Sequence, residues 1–110
     1  MHMVVFITAG GRAEAERIGS ALVEGRLAAC ANIVGPISSV YRWKGAVERA
    51  EEYLVIAKTV QDRLEALGEA VKRLHSYSLP EVIALRVEGG SIPYLRWLEE
   101  GSTGPEGGKG

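Results

Sequence analysis

Apolar residues crowd into "MVVFITA" at positions 3 to 9, with Val4 and Phe6 on one side of an extended chain and Val5 and Ile7 on the other. Two apolar faces predict a strand that is covered from both sides. The period then changes. In "GRAEAERIGSALVEGRL" the apolar positions Ala15, Ile18 and Leu22 recur at helical spacing, with Glu14 and Glu16 near the start and Arg26 near the end. Those charges suit the two ends of a helix dipole. "AACANIVGPISSVYRWKG" is strand-like but broken at Gly35-Pro36. Proline cannot donate to a ladder, so the break predicts an edge position, a bulge or a tight bend. Lys44-Gly45 reads as a hairpin turn, and "AVERAEEYLVIAKTV" as the returning strand, polar near the turn and apolar from Tyr53 to Ala57. Both strands exceed the usual length of about 3–10 residues.

A second helix follows, with Leu64, Leu67, Val71 and Leu74 three and four apart and a D-x-x-E capping signature at Asp62 and Glu65. Pro80 disfavours helix at Leu79, so that helix must end before it. "EVIALRVE" alternates Ile83, Leu85 and Val87 against Ala84, Arg86 and Glu88, as a strand with one partly wet face does. "SIPYLRWLEE" is a short terminal helix with Ser91 as its N-cap. The order is therefore α+β: a ferredoxin-like βαββαβ two-layer sandwich with a long central hairpin and a short C-terminal helix. Residues 1–100 form the single domain, and 101–110, "GSTGPEGGKG", a flexible Gly-rich tail. One layer of helices leaves the far face of the sheet uncovered. Exposed apolar area costs about 25 cal/mol per Å², so an oligomer is expected to bury it. The alternative is that the third helix covers it alone.

Composition narrows the function classes. The 110 residues are 46% hydrophobic with a formal net charge of -1, which excludes a disordered chain. It also gives no attraction to nucleic acid or to a membrane surface. Cys30 is the only cysteine, so no intrachain disulfide framework exists and a reducing, cytoplasmic location is expected. "MHMVVFITAG" has no basic leader and is too short to span a bilayer.

Few residues carry candidate chemistry. His75 stands where the second helix ends; it either caps carbonyls there or ligates copper or zinc. Its local partner would be Glu81, six residues on, a spacing that fits no compact zinc motif. Cys30 is either a buried core thiol or a soft ligand for Cu(I). Tyr41, Trp43, Tyr77, Tyr94 and Trp97 either fill subunit contacts or line a pocket between subunits. Lys58 and Arg86 interrupt apolar strands and need pairing, for which Glu81 and Glu88 are candidates. Neither "TAGGR" nor "EGGS" fits a phosphate-binding loop, and no organic cofactor is called for. With no nucleophile, base and orienting group in sight, no catalysis is expected.

The segments "ALVEGRLAACANI", "SVYRWKG", "LVIAKT", "HSYSLPEVIAL" and "YLRWLEE" resemble, in order and spacing, the CutA family of divalent-ion tolerance proteins from Val4 to Glu99. The resemblance implies tight trimers whose long hairpins reach across to neighbours, similar in fold to the nitrogen-regulatory PII proteins. With it, the expected function is that of a cytoplasmic homotrimer that binds copper or other divalent ions weakly, with His75, Cys30 and Glu81 as its candidate metal ligands. A PII-like signalling module is the alternative, receiving a small ligand or a protein partner in its intersubunit clefts. A mainly structural assembly is a third reading. Two departures stand out. The family's proline after the histidine is Ser76 here, which predicts a less rigid loop. "FITAGG" also lacks a cysteine that some members place there, so a site built on that thiol would lose a ligand.

Overall fold

Alternation along the first strand sets the two layers. In the computed structural model, which describes residues 1–103, Met3, Val5, Ile7 and Ala9 of β1 (His2–Ala9) are buried, while Val4, Phe6 and Thr8 between them are half-buried. The buried row packs on Ala15, Ile18 and Leu22 of α1 (Arg12–Glu24) and on Leu67 and Val71 of α2 (Leu64–Leu74). Each large aliphatic side chain buried this way contributes about 1.5–3 kcal/mol. The remaining elements are β2 (Cys30–Trp43), β3 (Ala46–Val60), β4 (Ile83–Arg86) and α3 (Ile92–Ser102). The sheet runs β2-β3-β1-β4 with antiparallel neighbours throughout, the α+β ferredoxin-like arrangement.

Register assigns the second face. Val4 lies opposite Lys58 and Leu85, Phe6 opposite Ile56 and Ile83, and Cys30 opposite Lys58. This face has no helical layer. Val34, Ile83 and Leu85 remain 44%, 51% and 48% exposed. α3 does not cover them: it buries Leu98 but leaves Ile92, Tyr94 and Trp97 exposed. His2 Nε2 meets Glu99 Oε2 at 2.7 Å, and the Arg63 and Arg26 guanidinium groups donate to the Ser102, Glu100 and Thr103 carbonyls. Cations at a helix C-terminus satisfy its unpaired carbonyls. α3 thus caps one end of the sheet. Arg26 is not in the last turn of α1 as expected; it follows the helix in a left-handed conformation, with φ 59°.

The break at Gly35-Pro36 is a bulge on an edge strand, where register slips between Val34 and Ile37. Gly35 is needed there because a Cβ would lie 2.4 Å from Tyr53 Cδ2. Lys44 and Gly45 both take positive φ, 51° and 83°, and join Trp43 to Ala46 in a two-residue hairpin turn. β1 stops pairing at Ala9–Tyr53, so residues 37–43 and 46–52 pair only with each other. They form an arm projecting from the body. The molecule measures 45 × 29 × 21 Å with a radius of gyration of 14.4 Å, against about 13 Å for a compact chain of this size.

Three expectations differ. Asp62 and Glu65 make no capping hydrogen bond; residues Gln61–Arg63 form a 3-10 turn, and both acids sit in first turns where the dipole favours them. β4 is only four residues long, pairing with β1 from Met3 to Phe6. α3 runs through Gly101 and Ser102, beyond the expected domain limit, with Ser102 fully buried; residues 104–110 of the expected tail lie outside the described residues.

Candidate functional site

His75 is the first residue past α2, and its backbone N–H still donates to the Val71 carbonyl at 2.9 Å. Its side chain has no solvent exposure. Nε2 lies 2.6 Å from the Thr8 carbonyl, and Nδ1 accepts from the Tyr77 N–H at 3.1 Å. The network assigns the Nε2–H tautomer, because a carbonyl accepts and a backbone amide donates. Both ring nitrogens are therefore engaged within the chain. A metal ion could reach one only if the ring gave up Thr8 or Tyr77.

Glu14 of α1 completes this corner. Its carboxylate lies 3.6 Å from His75 Nδ1 and accepts from the Ser76 N–H at 2.7 Å and the Ser76 hydroxyl at 3.1 Å. Burial raises the Glu14 pKa, but the hydrogen bonds from Ser76, the electrostatic pull of the His75 ring and a hydrogen bond from the Gly10 backbone outweigh it and hold the carboxyl below its usual 4.5. Ser76 was expected to loosen the loop. Instead its N–H, which proline lacks, anchors the loop to α1.

The loop continues to Tyr77, whose ring centroid is 4.7 Å from that of His75. Its hydroxyl donates to Glu52 Oε2 at 2.9 Å. Burial, the Glu52 hydrogen bond and the Glu52 charge together push the phenol up to about 12. Glu81, beyond Pro80, sits at Thr8, whose hydroxyl is 3.5 Å from Glu81 Oε1. Thr8 thus meets His75 through its carbonyl and Glu81 through its side chain. Cys30 is elsewhere. It lies level with Val4 in the register, four residues along β1 from Thr8, or roughly 13 Å at strand spacing. It is half-buried on the uncovered face, 3.6 Å from Asn32 Oδ1, and is no core thiol.

The three expected metal ligands therefore divide into a pair that meets at Thr8 and a distant thiol. Among the described residues no group of three His, Cys, Asp or Glu side chains converges to hold a metal ion. Lys58 and Arg86 do not pair with Glu81 or Glu88; the ion pairs of the described residues join other groups. Between the arm and residues 77–81 lies a cavity of about 690 Å³, with Tyr41, Trp43, Glu48, Glu52, Tyr77 and Glu81 in its wall. No helix among the described residues is long and apolar enough to cross a membrane.

The family model of the CutA1 divalent ion tolerance protein matches residues 3–101, a span that takes in the whole hairpin, the His75 loop and nearly all of β1 and α3. The chain belongs to the CutA family. It is 46% identical over 100 residues to the divalent-cation tolerance protein CutA of Thermus thermophilus, covering 91% of this chain and 97% of that one. A solved structure of the divalent cation tolerance protein from the same organism superposes with a TM-score of 0.92 at 45% identity, over 94% of this chain and 100% of that one. Protein CutA 1, chloroplastic, of Oryza sativa is 44% identical over 97 residues, covering 88% of this chain and 55% of that protein. The chain thus spans about half the length of the plant relative and nearly all of the bacterial one.

Against the CutA expectation, sequence reasoning placed His75 and Glu81 near each other but missed what joins them. Thr8 carries no signal, since its backbone carbonyl does half the work. Glu14 was read as a dipole charge, and Glu52 drew no notice in the polar half of β3. Strict alternation would have put Glu52 on the face of Leu54, and register places it there.

Proposed function

We propose that the chain acts as a cytoplasmic homotrimer in divalent-cation tolerance, binding copper or another divalent ion weakly as cargo and catalysing no reaction. One observation carries the assembly: Val34, Ile83 and Leu85 lie exposed on a sheet face that α3 does not reach, beside an arm with no core of its own. Covering that face by copies of the chain removes the cost of exposing it. The metal sits where chains meet, since a single chain gathers no three ligands among its described residues. Cys30, on the uncovered face, and Glu81, at the base of the arm, are the ligands a neighbour can complete. His75 joins them only if its ring leaves Thr8 or Tyr77. A free thiol at Cys30 suits the reducing cytoplasm.

Native mass spectrometry of metal-free protein, titrated with Cu(I), Cu(II) and Zn(II), tests both parts. The expected result is about three chain masses without metal, and ion uptake that C30A or E81Q weakens. A stable monomer, or assembly only on adding metal, overturns the reading. A second reading is favoured by the cavity under the arm: a PII-like module whose clefts receive a small ligand or a protein partner. A purely structural assembly would take up neither.

A further inference from the structure

We infer that His75 holds no metal ion in this chain and is instead the keystone of the 75–81 loop, fixed as one neutral tautomer by β1 and by the loop itself. The metal seam proposed above, on which this inference rests, is then left to Cys30 and Glu81. An imidazole can carry hydrogen on Nε2, on Nδ1 or on both, and the surroundings satisfy only the first. Nε2 lies 2.6 Å from the Thr8 carbonyl, which can only accept, so Nε2 carries hydrogen. The Tyr77 N–H meets Nδ1 at 3.1 Å and can only donate, so Nδ1 carries none. A proton on Nδ1 would face that N–H, and the Glu14 carboxylate at 3.6 Å lies too far to take it up in a hydrogen bond. Glu14 needs no such donor, because the Ser76 N–H and hydroxyl already donate to it at 2.7 and 3.1 Å.

This tautomer leaves a metal nothing to take. A metal ion binds the bare nitrogen of a neutral imidazole. Here that nitrogen is Nδ1, occupied by the Tyr77 N–H on a side chain with no solvent exposure. Binding through Nε2 requires the proton to move to Nδ1. The Thr8 carbonyl would then lose its donor, and Nδ1–H would stand against the Tyr77 N–H. Buried polar groups left without partners are costly. No ligand set within the chain offsets that cost, since no three His, Cys, Asp or Glu side chains converge among the described residues. The same contacts place the arm. The ring lies against that of Tyr77, centroids 4.7 Å apart, and the Tyr77 hydroxyl reaches Glu52 of β3 at 2.9 Å. One imidazole therefore ties the ends of β1 and α2 to the base of the arm, and a metal on His75 would unfasten it.

Nitrogen NMR of the full chain in its native assembly, carrying isotope-labelled histidine, provides the test. H2Q removes the other of the two histidines, so that one ring reports. Metal-free protein should show a protonated Nε2 and a bare Nδ1. Saturation with Zn(II) or Cu(I), followed by native mass spectrometry, should leave both nitrogens in that state. H75Q is the matching variant: its amide N–H can replace the donation to Thr8, but its carbonyl oxygen suits hard cations rather than copper. Copper affinity in H75Q should stay within about threefold of the parent, whereas loss of even a ligand's outer partner costs about 10–100-fold. In H75A the Tyr77 amide, deprived of its acceptor, should exchange its hydrogen faster. A protonated Nδ1, either signal moving to that of a metal-bound nitrogen, or copper affinity at least about tenfold weaker in H75Q overturns the inference. If no ion is taken up at all, the metal reading falls by itself, and the tautomer in metal-free protein decides the role of His75.

Discussion

In the inner half of the β2–β3 hairpin, Val55 and Ala57 are fully buried between neighbouring strands and helices, whereas every residue from 40 to 49 in the outer half is exposed. The ladder of backbone pairs runs through both halves and is interrupted only at the bulge. Pairing therefore does not distinguish them. The inner half has β1 as a third strand and a helical layer beneath it; the outer half has neither. Two-stranded ribbons alone are marginal in water. Backbone pairing gives the arm its geometry, but its stability must come from outside, through Tyr77 and, in the proposed trimer, from covering chains.

The largest predicted effect lies in the body. Ile7→Ala should cost about 2–5 kcal/mol in urea denaturation, since the side chain is fully buried. A loss below about 1 kcal/mol would mean that the inner half does not hold the fold. Gly35→Ala, at the border between the halves, drives a Cβ into the Tyr53 ring and should cost about 1–3 kcal/mol.

Tyr77→Phe cuts the hydrogen bond between loop and arm and should cost about 1–2 kcal/mol. The phenol pKa is raised to about 12, so the folded state favours the protonated form. That stabilisation is whole below about pH 10 and is lost as pH rises through 12. Y77F should lack this alkaline component, and absorbance titration of the wild type should show one tyrosine ionising late.

Glu14→Gln probes the body's other anchor. The Glu14 pKa is lowered, so its contribution is present above the usual carboxylate value and fades as pH falls through the depressed one. The acid limb of the stability profile should be flatter in E14Q. If both proteins lose stability alike below that value, Glu14 does not anchor the loop. Smallest of all, Val47→Ser in the arm should change the stability of the dissociated chain by less than about 0.5 kcal/mol. Sedimentation should nevertheless show weaker association, because Val47 is 56% exposed in the single chain.

Elements that depend on local period were legible before any coordinates. β3 spans the residues expected from its pattern, Ser91 caps α3, and the break at Gly35-Pro36 lies where a missing N–H demanded it. The His75 corner was legible only in part, because Glu14 stands 62 positions from Ser76 and Thr8 stands 67 from His75. One of those partners, the Thr8 carbonyl, is backbone, and backbone has no residue type to read. The core-thiol reading of Cys30 failed for a different reason. Its apolar neighbours suggested a core, but alternation turns it toward the face without helices.

The bulge also acts as a phase shifter for the arm. Ahead of it the even-numbered β2 residue Val34 stands opposite Leu54; beyond it the odd-numbered Ile37, Tyr41 and Trp43 stand opposite Glu52, Glu48 and Ala46. With every residue kept and the ladder run on from Val34 and Leu54 without a bulge, Val40 would face Glu48 and Arg42 would stand at Ala46. A guanidinium would then line the wall and could neutralise its carboxylates from within the same chain. By shifting the phase by one residue, the bulge puts aromatic rings on that wall and keeps the guanidinium off it.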